Sequence, residues 1–184
     1  MTANRTCQTC SLCCKVLSIT ELNKPVGQWC QHVRKRAGCS IHGAHPAECR
    51  DFSCLWLSEQ SIDDIWNPLK SKMVLVADHN RVTAHVDPGW PGSWRNEPYY
   101  SDLKQMAWNA IDAAGQVCVS VNNRIIVILP DKDIELGKFE PGDHIIVAET
   151  PHGWEAYKLP IDQIKPEDRG KWLHVSKTGR REEL

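Results

Sequence analysis

Four thiols fall within eight residues in "CQTCSLCC": Cys7, Cys10, Cys13 and Cys14. Thiols packed this densely serve disulfides, a metal ion, a metal cluster or redox catalysis. C-x2-C is a common local bite on a metal, because a tight turn brings both thiolates to one ion at ~2.3 Å. C-x2-C-x2-C goes further and offers three thiolates from one loop, the local arrangement with which bacterial ferredoxins hold most of an iron–sulfur cube. The ferredoxin ending, three residues and then Cys-Pro, is missing here. A fourth ligand must therefore come from elsewhere in the chain.

Four more cysteines follow: Cys30, Cys39, Cys49 and Cys54. The ninth, Cys118, stands apart in "VCVSV" and alternates with Val117 and Val119, which reads as a small buried hydrophobe in a strand. Neighbouring side chains diverge, so Cys13 and Cys14 on one ion would be strained. The easier solution divides them between two sites, or between a site and the core. His32, His42 and His45 lie in the same stretch and are alternative ligands, although a surface histidine is the more ordinary role. Asp51, Glu48 and His45 flank Cys49 and Cys54, which makes them the first candidates for proton transfer beside a metal.

The wider sequence sets the compartment. The start, "MTANRTCQTC", has no apolar run, so it predicts neither a secretory leader nor a lipid anchor. No window approaches the ~18 apolar residues that cross a membrane. The expected location is cytoplasmic, where thiols stay reduced and dense cysteines read as metal ligands more often than as disulfides. Net charge is −1, which neither favours nor excludes nucleic acid. Residues 1–60 hold seven Lys or Arg against four Asp or Glu, so the cysteine-rich part is locally basic. Its run Arg34–Lys35–Arg36 reads first as a solvated face, second as an offset to thiolate charge, and third as a weak RNA contact.

The positioning elements divide the chain in three. Residues 1–60 carry few periodic apolar side chains and form a core too small to stand without a metal staple. Residues 61–175 read as an α+β domain of five or six strands with one main helix. Residues 176–184 are a polar tail expected to fray. Within the domain, Ile62, Ile65 and Trp66 have helical spacing with Ser61 as a possible cap and Pro68 as the stop. "MVLVA" and "RVTAHV" predict a hairpin across "DHN". "DPGWPGSW" is loop, and its Trp90 and Trp94 read as cover for the core edge or as a binding surface. "YYSDLKQMAWNAIDAAG" predicts the main helix, with Leu103, Met106, Ala107, Ala110 and Ile111 on one stripe, Ser101 at its start and Gly115 at its end. "QVCVSV" and "RIIVIL" pair across Asn122-Asn123, and "HIIVAE" pairs with "WEAYKL" across "TPHG". The expected fold is α+β: a small metal-stapled Cys-rich region packed on an antiparallel-sheet domain.

The cysteine pattern as a whole resembles one family. "CQTCSLCC", then "WCQHV", then "GCSIHGAHPAECRDFSC" is similar to the YkgJ family of CxxCxxCC-type zinc- or iron-chelating proteins. The closing run of that family is matched by Cys39, Ile41, Pro46, Cys49, Arg50, Phe52 and Cys54, and "SITEL" fits its segment after the paired cysteines. His45 stands where the family has Arg, and Ser11 where it often has Gly; neither removes a ligand. The resemblance covers about residues 7–57. It implies a bacterial metal-chelating module with Cys7, Cys10, Cys13, Cys14, Cys30, Cys39, Cys49 and Cys54 as ligands. Some relatives accompany flagellin lysine methylation as part of a larger enzyme, and no methyl-donor site is recognisable here.

Three functions are compatible with these residues. The first is a protein with a 4Fe-4S cluster, held by the CxxCxxC loop and a later cysteine, that serves electron transfer or an accessory modification step. The second is a structural zinc module that binds a protein partner or, with weaker support, nucleic acid; zinc would supply folding energy the small core lacks. The third is a thiol redox enzyme, against which eight thiols count, since a dithiol enzyme needs two or three. No phosphate loop, nucleophile elbow or HExxH pattern is present.

Overall fold

The computed structural model describes residues 5–7, 10–34, 37–111, 113, 115–163, 174–175 and 181–182. The cysteine-rich stretch contains only short elements: α1 (Cys13–Val16), β1 (Val33–Arg34), β2 (Gly38–Cys39), α2 (Ala47–Arg50), α3 (Leu55–Ser58) and α4 (Pro68–Ser71). Beyond it run β3 (Met73–Asp78), β4 (Arg81–Val86), α5 (Tyr99–Ile111), β5 (Gln116–Val121), β6 (Arg124–Ile128), β7 (Asp133–Lys138), β8 (His144–Thr150), β9 (Gly153–Leu159), β10 (His174–Val175) and β11 (Arg181–Glu182). The architecture is α+β, with one long helix.

Strands β3 to β7 form a five-stranded sheet in chain order. The expected hairpins are present. Asn122 and Asn123 both adopt positive φ, 48° and 64°, as a two-residue turn between twisted strands requires. Two pairings among the described residues depart from the antiparallel expectation: β8 and β10 are parallel, and so are β4 and β5, which have α5 as their crossover. A parallel pair needs such a connection, and the helix predicted between the two strands supplies it. Strand β7, "DIELGK", is not expected from the sequence because it lacks clear alternation. It pairs with β6 through a register shift at Ile125/Ile126 opposite Gly137, whose φ is 74°. Strands β8 and β9 form the expected hairpin, extended by β10 and β11 into a second sheet.

Both faces of the first sheet are covered, so β5 reads as a nearly continuous buried run. On one face, Met73, Leu75, Ala84, Val86, Val117, Val119, Ile126 and Ile128 meet Trp56, Trp66, Trp94, Leu103 and Ala107. Met106 and Ala110 pack at the margin of that core, as the helix stripe predicts. On the other face, Cys118, Ile125, Val127 and Leu129 meet Ile145, Val147 and Ala156 of the second sheet. Beside them Val74 receives Leu12 and Val16 from the cysteine-rich stretch. The first sheet is thus the floor on which the cysteines sit.

Helix ends differ from expectation for local reasons. Asp63 caps a short 3₁₀ turn, Asp64–Trp66, by accepting from the Ile65 N–H at 2.8 Å. Pro68 then starts α4 rather than ending a helix, because Asn67 accepts from the Leu69 N–H and a proline fits the first helical position. Helix α5 begins at Tyr99, so Ser101 lies inside its first turn. Gly115 closes that helix with its N–H on the Ala110 carbonyl at 2.7 Å. Trp94 is fully buried, whereas Trp90 is 60% exposed. Lys35, Arg36 and most of the polar tail lie outside the described residues. No helix among the described residues is long and apolar enough to cross a membrane.

Candidate metal centre

All eight N-terminal cysteines are free thiols, and so is Cys118. The contacts of the eight fall into two loose groups that meet at the neighbouring Cys13 and Cys14. Arg5 leads the first set into place: its guanidinium donates to the carbonyls of Trp56, Glu59 and Ile62 and stacks 5.1 Å over the Trp56 ring. Cys7 follows two residues on, within electrostatic reach of Cys54, which immediately precedes α3. The Cys10 N–H donates to the Cys7 carbonyl at 3.1 Å. Cys10, Cys13 and Cys54 then pack together with Leu12, Val16 and Val74 on the sheet. The first set is Cys7, Cys10, Cys13 and Cys54.

The second set starts from Cys14 at α1. The Cys30 N–H donates to the Cys14 carbonyl at 3.0 Å, and the Val33 N–H to the Cys30 carbonyl at 3.1 Å. Val33 in β1 pairs with Cys39 in β2. Helix α2 brings Cys49, and Glu48 fastens it by accepting from the Thr20 N–H at 2.8 Å, just after α1. The second set is Cys14, Cys30, Cys39 and Cys49. The adjacent pair Cys13 and Cys14 is split between the two sets, the easier of the geometries open to neighbouring side chains.

Electrostatics join the two sets through Cys14, which acts on members of both. Burial pushes the Cys7 thiol up, and the charges of Cys10, Cys54 and Cys14 push it further. Burial also raises Cys10, helped by Cys54 and Cys14 and opposed by the Leu12 N–H. Cys49 is raised by burial and then by Cys14, Cys30 and Cys39. The two neighbours share a proton unequally: Cys13 donates to Cys14, which holds the Cys13 thiol far above its usual range and draws Cys14 down. Lys24 also favours the Cys14 thiolate.

No three His, Cys, Asp or Glu side chains among the described residues are placed as a metal-holding group. The donor chemistry still fits. Each set supplies four sulfurs, the number that Zn²⁺ or an iron–sulfur cube takes. Ligation requires the thiols of each set to turn toward a common point.

The remaining candidates take other roles. The rings of His42 and His45 stack at 5.0 Å, and His45 Nδ1 accepts from the Gly43 N–H at 3.0 Å. His32 contacts Gln31 at the surface. Glu48 is engaged by Thr20, and Asp51 is exposed at the end of α2. Cys118 is fully buried between the two sheets, away from both sets.

Sequence reasoning missed Arg5, Lys24 and Trp29. Arg5 and Lys24 carry no local signal, since their partners are backbone carbonyls far along the chain or around a turn. Trp29 precedes Cys30 and is exposed, with the Lys15 ammonium 5.3 Å from its ring. No protein-family model matches the sequence, and no curated protein or solved structure is significantly similar to it. The likeness to the YkgJ family therefore rests on the motifs of residues 7–57 themselves.

Proposed function

We propose that this protein is a metal protein of the YkgJ type, in which Cys7, Cys10, Cys13 and Cys54 hold an iron–sulfur cluster used in electron transfer or in an accessory modification step. The observation that supports the reading is that Cys54 packs on the same Leu12, Val16 and Val74 cluster as Cys10 and Cys13, which makes it the candidate for the fourth thiol the loop lacks. A 4Fe-4S cluster there would supply reversible one-electron transfer. Cys10 and Cys13, packed on Leu12, Val16 and Val74, provide the dry, rigid side of the site, and the Leu12 N–H faces the Cys10 sulfur. Burial and N–H groups directed at sulfur are the means by which a protein tunes such a centre.

A second reading, structural zinc, is favoured by the other set. Cys14, Cys39 and Cys49 come from three separate short elements and Cys30 from the loop between the first two, so a Zn²⁺ held by them would close three loops and order the stretch. Trp29 and Trp90, both exposed, offer aromatic anchors for a protein partner. The reading places the protein in the cytoplasm, where its nine thiols would stay reduced.

The test is metal, iron and acid-labile sulfide analysis with a visible spectrum on the full chain purified without oxygen. The expected result is a brown protein absorbing near ~400 nm with about four irons and matching sulfide. A colourless protein with one or two zincs selects the zinc reading. A metal-free protein overturns both.

A further inference from the structure

Trp108 is 65% exposed on α5, and neither its ring nor its indole N–H has a partner among the described residues. Leaving so large an aromatic side chain in water forgoes the burial its size offers. Trp108 lines a groove of about 440 Å³ between α5 and the turn that joins β6 to β7. Ser101, Gln105 and Trp108 recur along it at helical spacing, ~10 Å from first to last, with Glu97 beyond them and Pro130 of the turn facing them.

The charges in the groove are not balanced. Lys104 is committed, since its ammonium donates to Asp133 at 2.6 Å and to the Leu129 carbonyl at 2.7 Å. The Tyr100 hydroxyl donates to the other oxygen of the same carboxylate at 3.0 Å. The Glu97 carboxylate has no hydrogen bond or ion pair among the described residues, so the groove keeps one negative charge. Gln105 spends its amide N–H on Asn109 at 3.0 Å, which leaves its carbonyl oxygen open. A carboxylate, an amide oxygen and the negative face of an indole all receive N–H donors and cations. An anionic ligand would meet Glu97 with no uncommitted cation among the lining residues to hold it.

Exposure decides between a small cation and a length of chain. Glu97, Ser101, Gln105 and Trp108 are all exposed, whereas a small-molecule site encloses most of its ligand. A polypeptide segment lying across the surface needs no enclosure. Extended at ~3.3 Å per residue, it sets side chains four positions apart at ~13 Å, enough to reach from the indole past Ser101 toward Glu97.

We propose that the groove along α5 docks an extended basic segment of a partner protein, with one Lys or Arg side chain stacked on Trp108 and a second, about four residues away, paired with Glu97. No cysteine lines this groove, and the inference does not depend on the metal reading.

The experiment uses the full chain, labelled with ¹⁵N, and a synthetic probe, acetyl-Arg-Gly-Ser-Gly-Arg-amide, titrated while two-dimensional NMR follows the indole and backbone N–H signals. The Trp108 indole signal is identified by its loss in Trp108→Ala. The probe is expected to shift that signal saturably. Trp108→Ala, read from the backbone signals of the groove, and Glu97→Gln are each expected to weaken binding by about 2–5-fold, the scale of an exposed cation–π contact or surface ion pair. Both side chains are exposed, so neither change opens the core. Trp90→Ala removes an exposed Trp elsewhere and leaves the affinity unchanged. The matching probe with Glu in place of both Arg does not bind. An unmoved Trp108 signal overturns the proposal, as does equal affinity in wild type, Trp108→Ala and Glu97→Gln, equal weakening by Trp90→Ala, or equal binding of the Glu probe. Spermidine bound as tightly as the Arg probe would mean a site for small cations and overturns the docking of a segment.

Discussion

Lys15 and Asp87 form a 2.5 Å ion pair across 72 positions of chain, joining the turn that carries Cys13 and Cys14 to the residue after β4. Both side chains are mostly shielded, and Asp87 also accepts from the Gly89 N–H at 2.8 Å. The pair is the polar counterpart of the Leu12, Val16 and Val74 contact, and together they seat the cysteines on the sheet. Removing one partner leaves the other charge half-buried. Lys15→Met or Asp87→Asn alone is expected to cost about 2 kcal/mol of stability, and the double variant less than the sum. Urea unfolding of the four proteins measures the coupling, and strictly additive losses would show that the pair does not hold the two parts together.

The division of the cysteines makes a sharper demand. In protein purified without oxygen, Cys10→Ser with Cys54→Ser should abolish iron, sulfide and the visible absorption. Cys39→Ser with Cys49→Ser should remove the metal of the other set and leave that absorption in place. Metal analysis beside the spectrum reads both. Parallel loss of one and the same metal in both double variants would mean a single shared site. Stoichiometric metal in a Cys10→Ser, Cys49→Ser protein would mean that neither set ligates.

How much of this was legible beforehand depends on the range of the interaction involved. The strands around Asn122-Asn123 and the helix stripe of Leu103 and Ala107 were readable because turn chemistry and periodicity act over a few residues. The parallel partner of β4 was not, since register between strands 35 positions apart is a matter of what the crossover helix can cover. The cysteine spacing pointed to a metal-binding reading, and the adjacency of Cys13 and Cys14 to a split between two sites or between a site and the core. Which distant cysteine joined which set depended on Arg5 reaching Trp56 and on Glu48 reaching Thr20, contacts that leave no periodic trace. Trp94 and Trp90, four residues apart in one loop, went to opposite environments for the same reason.

Cys118 stands apart from the eight N-terminal thiols. It lies fully buried on β5, paired with Thr83 and Val127 and packed against the second sheet. Burial pushes its thiol up to about 12, so it stays protonated and unreactive. Cys118→Ser is expected to leave metal content unchanged and to cost about 1–3 kcal/mol, because a hydroxyl there lacks a partner. Cys118→Ala should cost less than the serine variant despite removing more volume. Thermal unfolding of the two proteins ranks them, and metal loss in either would place Cys118 among the ligands after all.

His85 supplies a pH dependence that does not involve the cysteines. It lies on β4 between Val74 and Ser120, on the sheet face shared with Thr83 and Cys118, and its ring has no hydrogen-bond partner among the described residues. Burial first, and the Arg81 charge second, push the imidazole down to about 4 from its usual 6.5. A depressed folded-state value means that the neutral ring is favoured in the native protein. The contribution is fully present above pH 6.5 and is lost as pH falls through 4, since the unfolded chain takes up the proton first. The loss amounts to at most about 3 kcal/mol. Carboxylates titrate over part of the same range, so the measurement is a difference: the stability of wild type minus that of His85→Gln, by urea unfolding at several pH values. The difference should decline steadily between pH 6.5 and 4 and level off below. Parallel curves would place the imidazole in water rather than in the sheet.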